Sequence, residues 1–168
     1  DRDSLMKAFE GVDVFYHLVH SMGGDGTGDF KEEEAESARN VVAAAKACGV
    51  SRIVYLGGLH PDGTKLSKHL ASRVEVGEIL LASGIETVVL QAGVVIGSGS
   101  ASFELIRHLT ERLPVMTTPR WVHNTIQPIA VRDALHYLVE AASATVPESR
   151  TWDIGCLLYT SPSPRDLS

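Results

Sequence analysis

Arg52-Ile53-Val54-Tyr55-Leu56, preceded by Gly49-Val50-Ser51 and followed by Gly57-Gly58, decides the fold. Four of the five residues are apolar or aromatic, and no polar residue alternates among them. That is the pattern of a strand covered on both faces, as parallel strands are. Upstream, Phe30 to Cys48 reads as a helix with Glu32, Glu33 and Glu34 in its first turn, Lys46 near its end and Gly49 as its stop. Those charges oppose the helix dipole at both ends. Further upstream, Asp3 or Ser4 caps a helix carrying Leu5, Met6 and Phe9 on one face, and Gly11 stops it before a strand from Val12 to Val19. Downstream, the spacing predicts a helix from Ser67 to Ala82 stopped by Gly84, and a strand from Glu86 to Leu90. The strand ends Val19, Leu56 and Leu90 recur about every 35 residues, the length of one βαβ unit. Beyond them, Ser102–Arg112 and Val131–Ala142 read as helices and Trp152–Gly155 as a last short strand. Alternating strands and helices of this kind make an α/β domain built on a parallel sheet.

Composition narrows the function. With 168 residues the chain is long enough for a core of its own. A net charge of -6 argues against a nucleic-acid surface, which needs clustered Lys and Arg in excess, so no nucleic-acid partner is expected. Cys48 and Cys156 form no disulfide framework or zinc spacing, and a reducing cytoplasm is the expected compartment. No run of eighteen apolar residues occurs, so no membrane span is expected. The chain opens at Asp1 without an initiator Met or an apolar leader, and its beginning is expected to be missing. From Cys156 to Asp166 the residues CLLYTSPSPRD look like a translated sequencing adapter. We therefore expect the domain to end at Gly155 and residues 156–168 to be an artefactual, disordered tail.

In open parallel sheets, ligands bind outside the carboxyl ends of the strands. Three such ends are Leu18-Val19-His20-Ser21, Leu56-Gly57-Gly58 and Gln91-Ala92-Gly93-Val94. At the latter two, glycines suit close approach of a ring or a sugar to the backbone, or else simply a tight turn. Gly23-Gly24-Asp25-Gly26-Thr27-Gly28 lacks the G-x-G-x-x-G spacing, and Asp25 and Asp29 would repel a pyrophosphate, so it reads as a loop rather than a phosphate site. His17 and His20 have no third ligand at a recognisable spacing, so no metal is expected. No G-x-S-x-G elbow supports a serine hydrolase at Ser21 or Ser72. Tyr55, inside a strand, is expected to be a packing residue with a hydrogen-bonded tip.

The succession Leu18-Val19-His20-Ser21-Met22, Gly49 to Leu59, Ser72-Arg73, Ser83-Gly84 and Gly93-Val94-Val95-Ile96-Gly97 resembles the atypical short-chain dehydrogenase/reductases. Within them it looks most like NAD(P)H-binding proteins related to the NmrA-like group and to a complex I accessory subunit. The resemblance runs from Asp1 to Gly155. It implies a Rossmann-type parallel sheet with helices on both faces, incomplete because the first βαβ units, with the phosphate loop, lie upstream of Asp1. It implies NAD or NADP as cofactor, bound by Leu18, Val19, His20, Ser21, Leu56, Gly57, Gly58, Arg73, Gln91, Ala92, Gly93 and Val94. The segment 98–155, with Phe103, Met116, Trp121, His123 and Asn124, would build the pocket for a small-molecule substrate.

The family's reducing members place a Ser or Thr after the strand matching Arg52–Leu56 and a Tyr-x-x-x-Lys pair on the next helix. Here the Ser position falls on Gly57, Gly58 or Leu59, the Tyr position on His69 and the Lys position on Arg73. His69 and Arg73 are therefore the catalytic candidates. Four residues apart, they share a helix face. Imidazole is the side chain whose ordinary titration lies nearest neutrality, whereas a guanidinium donates hydrogen bonds but stays charged. The resemblance implies hydride transfer to or from a small carbonyl, alcohol or quinone-like substrate. Loss of the Ser, Tyr and Lys groups together implies the alternative, a non-catalytic redox sensor or assembly subunit with a protein partner or a second copy of the chain.

Overall fold

The computed structural model describes residues 2–19, 30–60, 66–97, 104, 107–108, 111–112 and 127–155. Its elements run α1 (Arg2–Ala8), β1 (Val14–His17), α2 (Phe30–Cys48), β2 (Arg52–Gly58), α3 (Lys68–Leu81), β3 (Glu86–Ala92), β4 (Val95–Ile96), β5 (Ile129–Ala130), α4 (Val131–Ala141) and β6 (Arg150–Ile154). Four strands form one sheet in the order β1-β2-β3-β6, every pair parallel. The expected Rossmann-type architecture is thus present, with helices on both faces.

Alternation along the interior strands builds two cores. Ile53, Tyr55 and Val89 face a cluster with Phe9, Ala38, Val41, Ala44 and Ala45, joined by Val76 and Leu80 from α3. Val54, Val88, Leu90 and Ala92 face the other way, toward Ala134, Leu138 and Ala141 of α4. The small alanines of α2 let it lie close to its neighbours, which is why a helix of modest hydrophobicity is well buried on one side.

The glycine stops read from the sequence are where they were expected, whereas Asp3 and Ser4 lie inside α1 and do not cap it. Gly11, Gly49 and Gly84 adopt φ of 72°, 74° and 78°, the left-handed geometry that ends a helix cheaply only at glycine. The Ser67 side chain accepts a hydrogen bond from the Leu70 amide and caps α3. Four further readings are corrected. β6 spans Arg150–Ile154 rather than Trp152–Gly155, because Arg150 and Thr151 also pair with β3. β1 spans Val14–His17 rather than Val12–Val19, because only these residues pair with β2. β2 and β3 each run two residues further than predicted, since Gly57 pairs with Gln91 and Gly58 with Ala92. The two-residue parallel pair β4 and β5 was not foreseen. The described residues of the predicted helix 102–112 are helical, at 104, 107, 108, 111 and 112. The tail 156–168 and the glycine-rich stretch 23–28 lie outside the described residues.

Candidate functional site

Because all four strands are parallel, their carboxyl ends share one rim. Leu18 and Val19 follow β1, Leu56, Gly57 and Gly58 close β2, and Gln91 and Ala92 close β3 before Gly93 and Val94 turn away. Ile154 of β6 pairs with Ala92 at the same level. His20 and Ser21 lie outside the described residues, as do Phe103, Met116, Trp121, His123 and Asn124. Val19 is 81% exposed, an unusual placement for valine and a sign that this part of the rim is open.

The glycines of the rim differ in how closely the chain packs beside them. A Cβ on Gly93 would lie 2.2 Å from the Gln127 carbonyl oxygen, and one on Gly58 2.7 Å from a Leu70 methyl. At Gly57 the nearest atom would be a ring carbon of Tyr55, at 3.3 Å. The neighbour at Gly93 is main chain, a packing reason for glycine there, whereas at Gly58 it is the movable end of the Leu70 side chain.

His69 and Arg73 share α3 but differ in setting. His69, in the first turn, is exposed, while Arg73, one turn later, is half-buried. Arg73 lines a cavity of about 40 Å³ together with His17, Val19, Glu34, Ser37, Tyr55 and Val76. That volume holds a few water molecules. Bounded by β1, β2, α2 and α3, this is a polar niche behind the rim. Neither His69 nor any residue of β3 borders it.

The niche is built from buried polar groups that the sequence did not single out. Glu34 is buried and accepts a hydrogen bond from the buried Ser72 hydroxyl. Its spacing from Ala38, Val41 and Ala45 was the available signal, because 34, 38, 41 and 45 fall on one helical face. Read by charge alone, Glu34 merged with Glu32 and Glu33. Tyr55 is buried against His17, with ring centroids 5.6 Å apart, and donates its hydroxyl to the Arg73 carbonyl oxygen at 3.0 Å. It is thus the packing residue with a bonded tip that was expected.

Burial pushes the Tyr55 hydroxyl up to about 12, the nearby Arg73 charge opposing this and Glu34 reinforcing it. An unfolded tyrosine ionises near 10.0, so between that pH and about 12 only the unfolded state releases the proton. Stability therefore falls as pH rises through this window. Tyr55→Phe is expected to cost about 1 kcal/mol at neutral pH by losing the hydrogen bond. The same variant should lose less stability than wild type between pH 10.0 and about 12. Urea unfolding across that range checks both, and parallel curves would show that Tyr55 does not titrate as described.

The chain was also compared with known proteins. No protein-family model and no curated protein sequence matches it. Solved structures do. MoeE5 in complex with UDP-glucose and NAD superposes with a TM-score of 0.73 at 18% identity, covering 92% of this chain and 61% of its own. The Bordetella bronchiseptica enzyme WbmG in complex with NAD gives a TM-score of 0.74 at 15% identity, covering 92% of this chain and 55% of its own. For the UDP-N-acetylglucosamine 4-epimerase from Bacillus cereus the TM-score is 0.68 at 17% identity, covering 92% and 62%. This chain therefore spans a little more than half the length of these structures, and at such identities the likeness is one of fold.

Proposed function

We propose that this chain forms part of an NAD(P)-binding oxidoreductase of the atypical short-chain dehydrogenase/reductase kind, acting on a small carbonyl or alcohol. The observation that carries the reading is the shared rim of four parallel strand ends with the half-buried Arg73 guanidinium in the polar niche beside β1. The fold it shares with proteins solved in complex with NAD supports it. The rim suits the nicotinamide half of such a cofactor. Residues 18, 19, 56–60 and 91–94 at the ends of β1, β2 and β3 include no acidic side chain, while Asp153 stands one residue before the end of β6. When bound, the nicotinamide supplies or accepts a hydride.

The chain's own residues do the rest. Leu18, Val19, Leu56, Gly57, Gly58, Gln91, Ala92, Gly93 and Val94 lie along the rim, and together with His20 and Ser21 they are the residues proposed to contact the cofactor. Arg73 donates to ribose hydroxyls and, permanently charged, takes no part as a base. His69 is exposed, which suits exchange of protons with solvent. Tyr55 is excluded from that work because its hydroxyl is buried and bonded to Arg73. Segment 98–155 provides the substrate pocket. Among the described residues no helix is long and apolar enough to cross a membrane, and we place the protein in the cytoplasm.

The test uses the product of the complete reading frame. Calorimetry should show binding of NAD or NADP, and Arg73→Ala should weaken it about tenfold or more, the worth of one charge-assisted hydrogen bond. Failure to bind either cofactor sinks the proposal. The second reading, a dinucleotide-binding redox sensor or assembly subunit without catalysis, is favoured by the standing of His69 and Arg73 where the family's reducing members have Tyr and Lys. It predicts cofactor binding with no turnover of a carbonyl panel.

A further inference from the structure

We infer that His60 is the side chain that exchanges a proton with the reacting oxygen at this rim, a role that rests on the oxidoreductase reading. His60 is the second residue beyond β2, an interior strand flanked by β1 and β3. The turn that carries it is fixed across two strand ends, because the Leu59 amide donates to the Ala92 carbonyl oxygen at 2.8 Å. Its ring is half-buried, with Nδ1 3.2 Å from the Gly58 carbonyl oxygen.

That contact determines the chemistry of the ring. A carbonyl oxygen only accepts, so Nδ1 must carry the hydrogen. In the neutral imidazole the lone pair therefore resides on Nε2, and in the imidazolium Nε2–H is the proton left to give. Orientation of one ring nitrogen by a main-chain carbonyl, with the other left for proton transfer, is how a histidine is held for acid and base work. His69 is exposed and belongs to the first turn of α3, whereas His60 is carried by the turn that directly closes β2.

In the reducing direction the His60 imidazolium would give its Nε2 proton to the carbonyl oxygen, the hydride for the carbonyl carbon being what a bound dihydronicotinamide would supply. The products are an alcohol, an oxidised nicotinamide and a neutral His60, which regains its proton from water. In the oxidising direction neutral Nε2 accepts the alcohol proton as the hydride leaves carbon.

Two measurements test this. Nitrogen-15 spectra of the imidazoles in the cofactor-free protein should show neutral His60 as the Nδ1–H tautomer, and an Nε2–H tautomer overturns the inference without touching the cofactor reading. With the complete protein, His60→Gln should bind NAD(P) within about twofold of wild type yet turn over a carbonyl panel roughly a hundredfold or more slowly. Added imidazole should restore part of the rate in His60→Gly, a rescue that a merely structural role would not give. Wild-type turnover by His60→Gln overturns this inference alone, whereas a wild-type protein that neither binds nor uses a nicotinamide overturns the reading beneath it.

Discussion

Gly93→Ala is expected to destabilise the fold by roughly 3 kcal/mol, as overpacking against an unyielding neighbour does. The added Cβ would lie 2.2 Å from the Gln127 carbonyl oxygen and 3.2 Å from its carbonyl carbon. That oxygen cannot swing away like the tip of a side chain, because two residues later Ile129 donates to the Val94 carbonyl at 3.0 Å and pairs with Val95. Relief requires the ends of β3 and β5 to move apart. Gly57→Ala is the control. Its Cβ would meet only a ring carbon of Tyr55 at 3.3 Å, with other atoms at 3.9 Å, so a small ring shift suffices and the cost should be below about 1 kcal/mol. Urea midpoints for the two variants decide the matter, and a Gly93→Ala midpoint equal to wild type would mean that the Gln127 backbone does not approach as described.

Leu80→Ala should cost about 3 kcal/mol through lost burial plus the hole left behind. Leu80 is 0% exposed, between α3 and the strands, and its carbonyl oxygen also accepts the Thr87 hydroxyl at 3.1 Å. Rigid surroundings collapse poorly around a deleted side chain. In a domain of this size such a loss lowers the melting temperature by about 10 °C. Val139 lies on the outer side of α4 and is 65% exposed, so Val139→Ala should change stability by less than about 0.5 kcal/mol. Differential scanning calorimetry of both variants checks the contrast, and comparable shifts would contradict the placement of the core.

These two sites also show what the sequence discloses and what it withholds. The Arg52–Leu56 run and the three glycine stops announce the sheet and helix ends, since apolar burial and left-handed geometry depend on residue type alone. The last residues of β2 and β3 were invisible because Gly57, Gly58 and Gln91 have little strand preference of their own. Ladder pairing with neighbours extends the strands through them. Gly93 looked like an opening for a ligand, yet its partner Gln127 comes from 34 positions later, a contact that no local pattern encodes. Glu34 and His60 stayed hidden for a related reason. The first resembled its solvated neighbours Glu32 and Glu33, and the second draws its interest from a main-chain bond rather than from any motif. The family resemblance pointed to His69 and Arg73, and the structure separates them by burial while showing that Arg73 and Tyr55 belong to one polar niche.

The short parallel pair of β4 with β5 has a wider consequence. It brings residues 95–96 beside residues 129–130 in a small sheet of their own, and so ties the departure and return of everything between them to one place. Whatever sequence occupies that interval begins and ends in the same place, so lengthening it adds only the slow logarithmic cost of a larger closed loop. Changes in the length of the interval should therefore be tolerated by the supporting scaffold far better than changes at the paired residues that close it.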